Sequence, residues 1–256
     1  MYLSYEETKD IAYYMCDRTQ RLTLPMLVNL LLDVSEKQSD SLKRGEAYIR
    51  DRGLSWIILH YAFDIGRMPR LNETVYIETF ATEYNKLFTY RTFIVRDSNR
   101  TELIKVETTF ALLDSEKRKM ARIPEDIVAP YKAEYSKRIR RNTKPDEVDS
   151  KEYNEKQYAV RYFDIDGNNH VNNSHYINWI LDSLDSTFLL DHDITSGVIT
   201  FNKEISEHQL VFSQSSIRKE ENLYSDHIIK TEDTVHCAAT FTWKNGKRRN
   251  TNGHNQ

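Results

Sequence analysis

Glycine is scarce in this chain, and the short glycine-rich motifs that bind nucleotides are absent from it. Only seven of the 256 residues are glycine, whereas a share of about 7% is usual. No GxGxxG, GxxxxGK[ST], GxSxG or HExxH segment occurs. These absences exclude the usual dinucleotide site, the P-loop, the serine elbow of α/β-hydrolases and the commonest zinc protease motif. Any chemistry must come from other residues.

Cysteine, net charge and long apolar runs are also scarce. Cys16 and Cys237 are far apart and form no CxxC pair, which predicts two reduced thiols in a cytoplasmic protein. The formal net charge is only −3, so the composition favours neither nucleic acid nor an anionic membrane as a partner. No run of 18 apolar residues is present, and the first ten residues lack the apolar core of a signal peptide. We therefore expect a cytoplasmic protein with no membrane span.

The remaining residues predict the same series of elements twice. Residues 22–44 show a helical apolar stripe, with Thr23 as the cap and Pro25 in the first turn, and residues 175–190 show a second stripe. Each is followed by four runs rich in β-branched and aromatic residues, at 54–65, 74–84, 87–97 and 102–114, and at 196–205, 209–219, 222–233 and 234–244. This repeat predicts an α+β fold in which an antiparallel sheet wraps each long helix.

Charge divides the chain into segments. Residues 131–157 are dense in charge, poor in apolar residues and contain Pro145, which is typical of an exposed linker. We therefore expect an N-terminal unit at 1–130, a C-terminal unit at 158–246 and a flexible tail at 247–256.

Residues 161–182, RYFDIDGNNHVNNSHYINWILD, are unusually polar and then change at once to a helical apolar pattern. Asp166, Asn168 and His170 alternate along this segment, and Asp166 and His170 would be about 13 Å apart in an extended chain. Gly167 and its neighbours favour a turn, however, because Gly, Asp and Asn tolerate positive φ. The turn can bring the three side chains together.

A helix is predicted to begin directly after this turn, with Asn172, Asn173 or Ser174 as its cap. The first N–H groups of a helix are unpaired and can hold an oxyanion, while a histidine can act as a general base near neutral pH. The same residues could equally form no more than a turn and a cap. A metal site at His170 and His175 is disfavoured, because no third ligand is implied.

Two motifs resemble those of the acyl-acyl carrier protein (acyl-ACP) thioesterases. Residues 164–184 resemble the family segment D-x-D-x-N-x-H-V-N-N-x-x-Y-x-x-W-x-L-[DE]-S, and residues 69–80, PRLNETVYIETF, are similar to P-x-x-x-[DE]-x-V-x-I-E-T-[WF]. The likeness covers about residues 1–245. It implies two tandem hotdog units, each a long helix wrapped by an antiparallel sheet, and hydrolysis of fatty acyl-ACP to free fatty acid and holo-ACP. It implies no metal and no bound cofactor.

The resemblance also carries catalytic roles to Asp166, Asn168, His170 and Glu204, the last on the strand predicted after the second helix. Our mechanistic hypothesis is that His170 and Glu204, oriented by Asn168, activate or position the water, that Asp166 fixes the loop, and that N–H groups near residues 171–173 hold the thioester oxygen. The sequence leaves open which group takes the proton.

One alternative and one departure from the family concern neighbouring residues. Asp164 is an alternative to Asp166, because simpler hotdog thioesterases use an aspartate in a similar setting. Plant members have a cysteine directly after the glutamate, whereas Ile205 occupies that position here. A thiol nucleophile is therefore excluded at that position, and Cys237 beside His236 is a poor dyad because strand neighbours point to opposite faces. We expect direct attack by water.

The implied partner is acyl carrier protein, which is acidic, so a basic docking patch is expected. The candidates are two groups of basic residues: Lys137, Arg138, Arg140 and Arg141, or Lys117, Arg118 and Lys119. An acyl pocket is expected in the N-terminal unit, beside the first helix, lined by Leu27, Leu31 and Trp56.

Three other functions remain open to different degrees. An acyl-CoA thioesterase of the same fold shares the reacting end of the substrate. A hydratase is disfavoured, because its D-x-N-P-x-H spacing is absent. A non-catalytic acyl-binding module is disfavoured by the intact set of four residues. The sequence leaves the acyl length and the oligomeric state open, including a homodimer.

Overall fold

The computed structural model describes residues 2–167, 169–232 and 234–246. Asn168 and the expected tail at 247–256 lie outside these residues. The described helices are α1 (Leu24–Ser41), α2 (Glu46–Arg50), α3 (Glu125–Val128), α4 (Asn173–Asp182) and α5 (Ser186–Asp191). The described strands are β1 (Tyr5–Asp10), β2 (Leu54–Ile65), β3 (Thr74–Tyr84), β4 (Phe88–Arg96), β5 (Glu102–Asp114), β6 (Lys119–Ala121), β7 (Glu134–Tyr135), β8 (Asn154–Ala159), β9 (His192–Phe201), β10 (Leu210–Lys219), β11 (Leu223–Lys230) and β12 (Val235–Asn245).

These strands form a single large sheet with mostly antiparallel pairing. Its main order is β1-β3-β4-β5-β2-β9-β12-β11-β10-β8, while β6 pairs with β5 and β7 runs parallel to β3. The order is the same from either edge, because β8 to β12 repeat the arrangement of β1 to β5. The two halves join at β2 and β9, where His60 lies opposite Thr200 and Asp64 lies opposite Ser196. The chain is thus a mixed α/β protein with a large antiparallel sheet and few helices.

Helix α1 forms where the sequence predicts it. The Thr23 side chain accepts a hydrogen bond from the N–H of Met26 at 3.3 Å, and Pro25 lies in the first turn. Such a cap pairs one of the N–H groups that a helix start leaves without a partner. The predicted stripe is buried along its whole length, at Leu24, Leu27, Val28, Leu31 and Val34.

The second predicted helix, 175–190, is instead two shorter helices. Helix α4 begins earlier, with Asn172 as the cap among the three candidates, and α5 has its own cap at Asp185, whose Oδ1 accepts from the N–H of Thr187 at 2.7 Å. Aspartate favours such a cap over the interior of a helix. The apolar period continues across this break, which explains why a single helix was predicted.

The strand predictions agree closely in the first half and less closely in the second. Strands β2, β3 and β5 have the predicted bounds, whereas β9 begins and ends four residues before the predicted 196–205. Strands β1 and β8 were not predicted, because both are charged edge strands with few apolar residues. Strand β8 begins at Asn154, inside the segment expected to be a linker.

Helices α1 and α4 share the main apolar core, which combines side chains from both halves of the chain. A smaller cluster contains Ile49, Leu112, Ile127 and Val128. None of the helices in the described ranges is long and apolar enough to cross a membrane.

Two loops with the same backbone hydrogen bonds precede α1 and α4. Loop 16–22 and loop 165–171 are each closed by an isolated antiparallel bridge between their end residues. The equivalent bonds inside them are Asp17 N–H to the Arg21 carbonyl at 2.9 Å and Asp166 N–H to the His170 carbonyl at 2.8 Å. Arg21 therefore has the place in the first loop that His170 has in the second.

Candidate active site

Loop 165–171 curls as the sequence predicts and holds two of the candidate residues side by side. Besides the bond from the Asp166 N–H, the His170 N–H lies 3.4 Å from Asp166 Oδ1. Asn169 adopts a left-handed conformation with φ of 62°, which asparagine tolerates better than most residues. The Asn172 cap then starts α4, so the turn and the helix together fix the direction of the His170 side chain.

The sequence predicts that Glu204 is on a strand. In the structure, Glu204 instead lies in the segment after β9. The strand ends at Phe201, and the buried Ile205 ties the following segment to the start of α4. The N–H of Ile205 donates to the Tyr176 hydroxyl at 3.0 Å, and its carbonyl accepts from the N–H of Val171 at 3.2 Å. These two bonds bring Glu204 next to loop 165–171.

His170 and Glu204 are in direct contact. His170 Nε2 lies 3.1 Å from Glu204 Oε2, and both side chains are partly buried. Asp166 lies in the same turn and lines the same cavity. Three of the four candidate residues are therefore brought together, while Asn168 lies outside the described residues.

Arg118 is a third partner of this pair that the sequence analysis did not find. Its Nη2 lies 3.0 Å from His170 Nε2 and also donates to Glu204 Oε2. From its sequence context, Arg118 is only a member of a candidate docking patch. No local pattern could have indicated the contact, because Arg118 is 52 residues from His170 and 86 residues from Glu204.

A cavity of about 1080 Å³ opens at these residues. Its apolar lining comes mainly from the first half of the chain, with Leu32, Ile49, Leu54, Trp56, Ile58 and Phe110. Trp56 lines the cavity as predicted. Leu27 and Leu31 are not among the described residues that line it, because they lie on a neighbouring stripe of α1 and are completely buried in the main core. The cavity instead runs along the face of α1 that carries Leu32.

The cavity also has a polar region around Arg91, which is nearly buried. Its Nη1 donates to Gln38 Oε1 at 2.5 Å and to Thr79 Oγ1 at 3.0 Å, and burial lowers the pKa of Arg91 to about 10. Arg91 pairs with Thr108 on β5, six residues before Asp114, where the turn that carries Arg118 begins. At about 3.3 Å per residue, Thr108 and its partner Arg91 lie about 20 Å along the strand from Asp114.

Asp164, the alternative to Asp166, has a different set of partners. It is only 1% exposed and accepts hydrogen bonds from the Arg161 N–H at 2.9 Å and from Arg161 Nη2 at 2.7 Å, while His175 Nδ1 lies 3.4 Å away. Burial by itself raises the pKa of Asp164, but the bonds from Arg161 outweigh it and hold the pKa below its usual range. Asp164 is not among the described residues that line the cavity.

Two of the three N–H groups expected to hold the thioester oxygen already have partners. The N–H of Val171 donates to the Ile205 carbonyl, and the N–H of Asn172 donates to the Asp164 carbonyl at 2.9 Å. That expectation is wrong for these two groups, because their hydrogen atoms are already used in bonds that hold loop 165–171 against Ile205 and Asp164. Asn173, the first residue of α4, lines the cavity.

Neither cysteine lies at the site. Cys237 is completely buried, and burial raises the pKa of its thiol. Cys16 is on the other loop, and both cysteines are free. Neither of them is among the described residues that line the cavity.

The chain is similar to known proteins over most of its length. Residues 2–131 match the family model of the acyl-ACP thioesterase N-terminal domain, and residues 147–245 match that of the C-terminal domain. A plant relative, the chloroplastic oleoyl-acyl carrier protein thioesterase of Coriandrum sativum, is 24% identical over 93% of this chain and 68% of its own length. An acyl-[acyl-carrier-protein] hydrolase of Cuphea viscosissima is 25% identical over 73% of this chain and 48% of its own length. The chain thus spans about half to two thirds of these plant relatives.

Two solved structures have nearly the same length as this chain. A protein from Lactobacillus plantarum, described as a candidate oleoyl thioesterase, is 36% identical, with a TM-score of 0.91 over 95% of this chain and 97% of its own. The 12:0-ACP thioesterase of Umbellularia californica is 19% identical, with a TM-score of 0.84 over 95% of this chain and 94% of its own, and shows likeness of fold only. The two family models together span most of the chain, which therefore belongs to the acyl-ACP thioesterase family.

Proposed function

We propose that this protein hydrolyses the thioester between a fatty acyl chain and acyl carrier protein, releasing free fatty acid and holo-ACP. The observation that carries the proposal is the 3.1 Å contact between His170 Nε2 and Glu204 Oε2 at the wall of a large, mainly apolar cavity. An imidazole and a carboxylate in contact can take a proton from water, and an apolar cavity suits an acyl chain. Membership of the thioesterase family supports the same reaction.

In this mechanism the nucleophile is water. The His170–Glu204 pair takes one proton from the water as its oxygen bonds to the carbonyl carbon of the thioester. The oxyanion is held near the N-terminus of α4, where Asn173 lines the cavity and the helix end is partly positive. The carbon–sulfur bond then breaks, and the pair returns the proton to the departing thiolate. Asp166 holds the loop, and Asn168 is proposed to orient the pair.

We propose two tandem hotdog units, at 1–130 and 154–246, joined by residues 131–153, with the acyl pocket in the first unit. The mirrored strand order and the two equivalent loops support this repeat. The apolar cavity lining, mostly from the first half, supports the placement of the pocket. Because β8 begins at Asn154, we place the start of the second unit four residues earlier than the sequence predicted.

The proposed partner is acyl carrier protein. Lys117 and Lys119 are exposed and flank Arg118, which lines the cavity, so an acidic carrier bound there could deliver its acyl arm directly. The alternative patch, made of Lys137, Arg138, Arg140 and Arg141, is exposed as well. We also propose action in the cytoplasm, because two free cysteines suit a reducing compartment.

The test is to offer the purified protein acyl-ACP and acyl-CoA substrates of graded chain length and to measure free acid and free thiol. We expect the higher kcat/KM with acyl-ACP, and no release by the His170→Ala variant above the uncatalysed rate. Equal or faster hydrolysis of acyl-CoA would favour the acyl-CoA alternative. Failure to release acid from any thioester would exclude both enzymes.

A further inference from the structure

Arg118 reaches the proposed catalytic pair from the opposite half of the chain. It lies in the turn between β5 and β6, whereas His170 and Glu204 belong to the second half. One guanidinium nitrogen, Nη2, contacts both His170 Nε2 and Glu204 Oε2. The same carboxylate oxygen lies 3.1 Å from His170 Nε2. The three groups therefore meet at one point.

Hydrogen bonds within the turn hold Arg118 in place. Asp114 Oδ1 accepts from the N–H groups of Glu116 and Lys117, at 3.2 Å and 2.9 Å, and the Asp114 carbonyl accepts from the Arg118 N–H at 2.8 Å. Arg118 itself has φ of 54°, in the left-handed region that a glycine would adopt with less strain. The chain thus has an arginine where the backbone conformation favours glycine. Backbone strain of this kind is frequent at functional sites.

Stability does not explain this arrangement. The Arg118 side chain is 51% exposed, and the Glu204 side chain is 33% exposed. Ion pairs at such a surface contribute little to folding, because water and salt screen them. An arginine does, however, fix the orientation of a carboxylate, since its planar N–H groups hold both partners in one geometry. The contact therefore matters more for where Glu204 points than for whether the chain folds.

We propose that Arg118 is a positioning residue of the hydrolytic site, which holds the Glu204 carboxylate against His170. This inference rests on the proposed function and adds to it a residue from the other half of the chain. It also separates Arg118 from Lys117 and Lys119, with which the sequence analysis had grouped it. Lys117 binds Asp114 within its own turn at 2.9 Å, and Lys119 is exposed on β6.

Arg118→Gln is the direct test, with Arg122→Gln as the matched control, because Arg122 is an exposed arginine just after β6. For Arg118→Gln we expect kcat to fall about 10- to 100-fold, equally with acyl-ACP and with a small acyl thioester that lacks the carrier. The KM for the small thioester and the melting temperature should stay unchanged, and Arg118→Lys should recover part of the loss. Arg122→Gln should leave kcat unchanged. A rise in KM confined to acyl-ACP would make Arg118 a docking residue and overturn the proposal.

A double-mutant cycle tests whether Arg118 acts through Glu204. In a Glu204→Gln background, Arg118→Gln should cost less than threefold, because the group that it positions has lost its charge. A full 10- to 100-fold loss in that background would contradict the proposed route.

A crystal structure of Arg118→Gln gives a result that does not depend on turnover. We expect the Glu204 carboxylate to lie beyond hydrogen-bond distance of His170 in this variant. If the Glu204 carboxylate stays within hydrogen-bond distance of His170 in this variant, the inference is overturned, even if the variant is active. Conversely, a wild-type protein that hydrolyses no thioester would refute the proposed function, while the position of Glu204 would still be measured.

Discussion

Contacts with other parts of the chain orient the side chains of His170, Glu204 and Arg118. The imidazole is aimed by a seven-residue loop, and the carboxylate is aimed by the two bonds of Ile205. The family resemblance implies a cysteine at the position of Ile205, which is completely buried here. At this position the chain has an anchor for Glu204 in place of a possible nucleophile, which favours water as the attacking group.

At the residue scale, His170→Ala should abolish most activity without unfolding the protein. Loss of a general base typically costs about 10²–10⁴ in rate, and the side chain lies at a cavity wall and not in the core. The measurement is kcat/KM with acyl-ACP, together with the melting temperature. His208→Asn is the control, because His208 is 85% exposed on the loop after Glu204 and asparagine tolerates its φ of 65°. Activity of His170→Ala within threefold of the control would remove the proposed role.

At the element scale, the two loop-and-helix units show how one local structure can have two uses. Loop 16–22 and loop 165–171 share their bridge and their internal hydrogen bonds, and each leads into a capped helix. The first presents Arg21, which pairs with Asp193 at the start of β9. The second presents His170 to Glu204. The same backbone thus supports an ion pair between the halves in one case and the candidate site in the other.

This equivalence predicts different outcomes for the two helix caps. Asn172→Ala and Thr23→Ala should each lower the free energy of unfolding by about 1 kcal/mol, because each removes the oxygen that accepts from a first-turn N–H. Only Asn172→Ala should also lower kcat, since Asn172 joins α4 to the loop that carries His170. Urea denaturation and steady-state kinetics on both variants test this. Equal activity of the two variants would show that the cap does not hold the site.

At the scale of the whole molecule, the halves share one sheet and one core, and several histidines are enclosed as a result. Burial lowers the pKa of His60, His175, His227 and His236. For His227 it lowers the pKa to about 3, because the ring is completely buried and its neighbours are Ser183, Ser225 and Phe241. The folded protein therefore keeps these rings neutral at a pH where the unfolded chain binds protons.

The protein should accordingly lose stability in mild acid. An unfolded histidine binds a proton below a pH of about 6.5, while folded His227 does not until a pH of about 3. The free energy of unfolding therefore falls as the pH decreases through this window, by up to about 1.4 kcal/mol per pH unit for His227. Glu36, whose pKa is raised by burial, acts in the opposite direction.

Urea denaturation between pH 6 and pH 5 measures this dependence. The His227→Gln variant should be less stable at neutral pH and less sensitive to acid than the wild type, since one titrating group is gone. The His208→Asn control should keep the wild-type slope. An unchanged slope in His227→Gln would mean that this ring is not kept neutral by burial.

The sequence by itself determined the local features of this protein. Helix α1 with its Thr23 cap, the bounds of β2, β3 and β5, and the turn that curls Asp166 toward His170 all follow from residues close together in the chain. Their causes are short-range: backbone preferences, caps and the period of apolar side chains. Resemblance to a family, and not periodicity, was needed to single out Glu204, and it did not show that Glu204 lies beyond the end of its strand.

Only the tertiary structure decided which distant groups meet. The pairing of β2 with β9 joins the halves, the bonds of Ile205 bring Glu204 to His170, and the turn after β5 brings Arg118 to both. It also decided that the cavity runs along the Leu32 face of α1 and not along the stripe of Leu27. The physical reason is that such contacts depend on the packing and register of the whole sheet, which no short segment encodes.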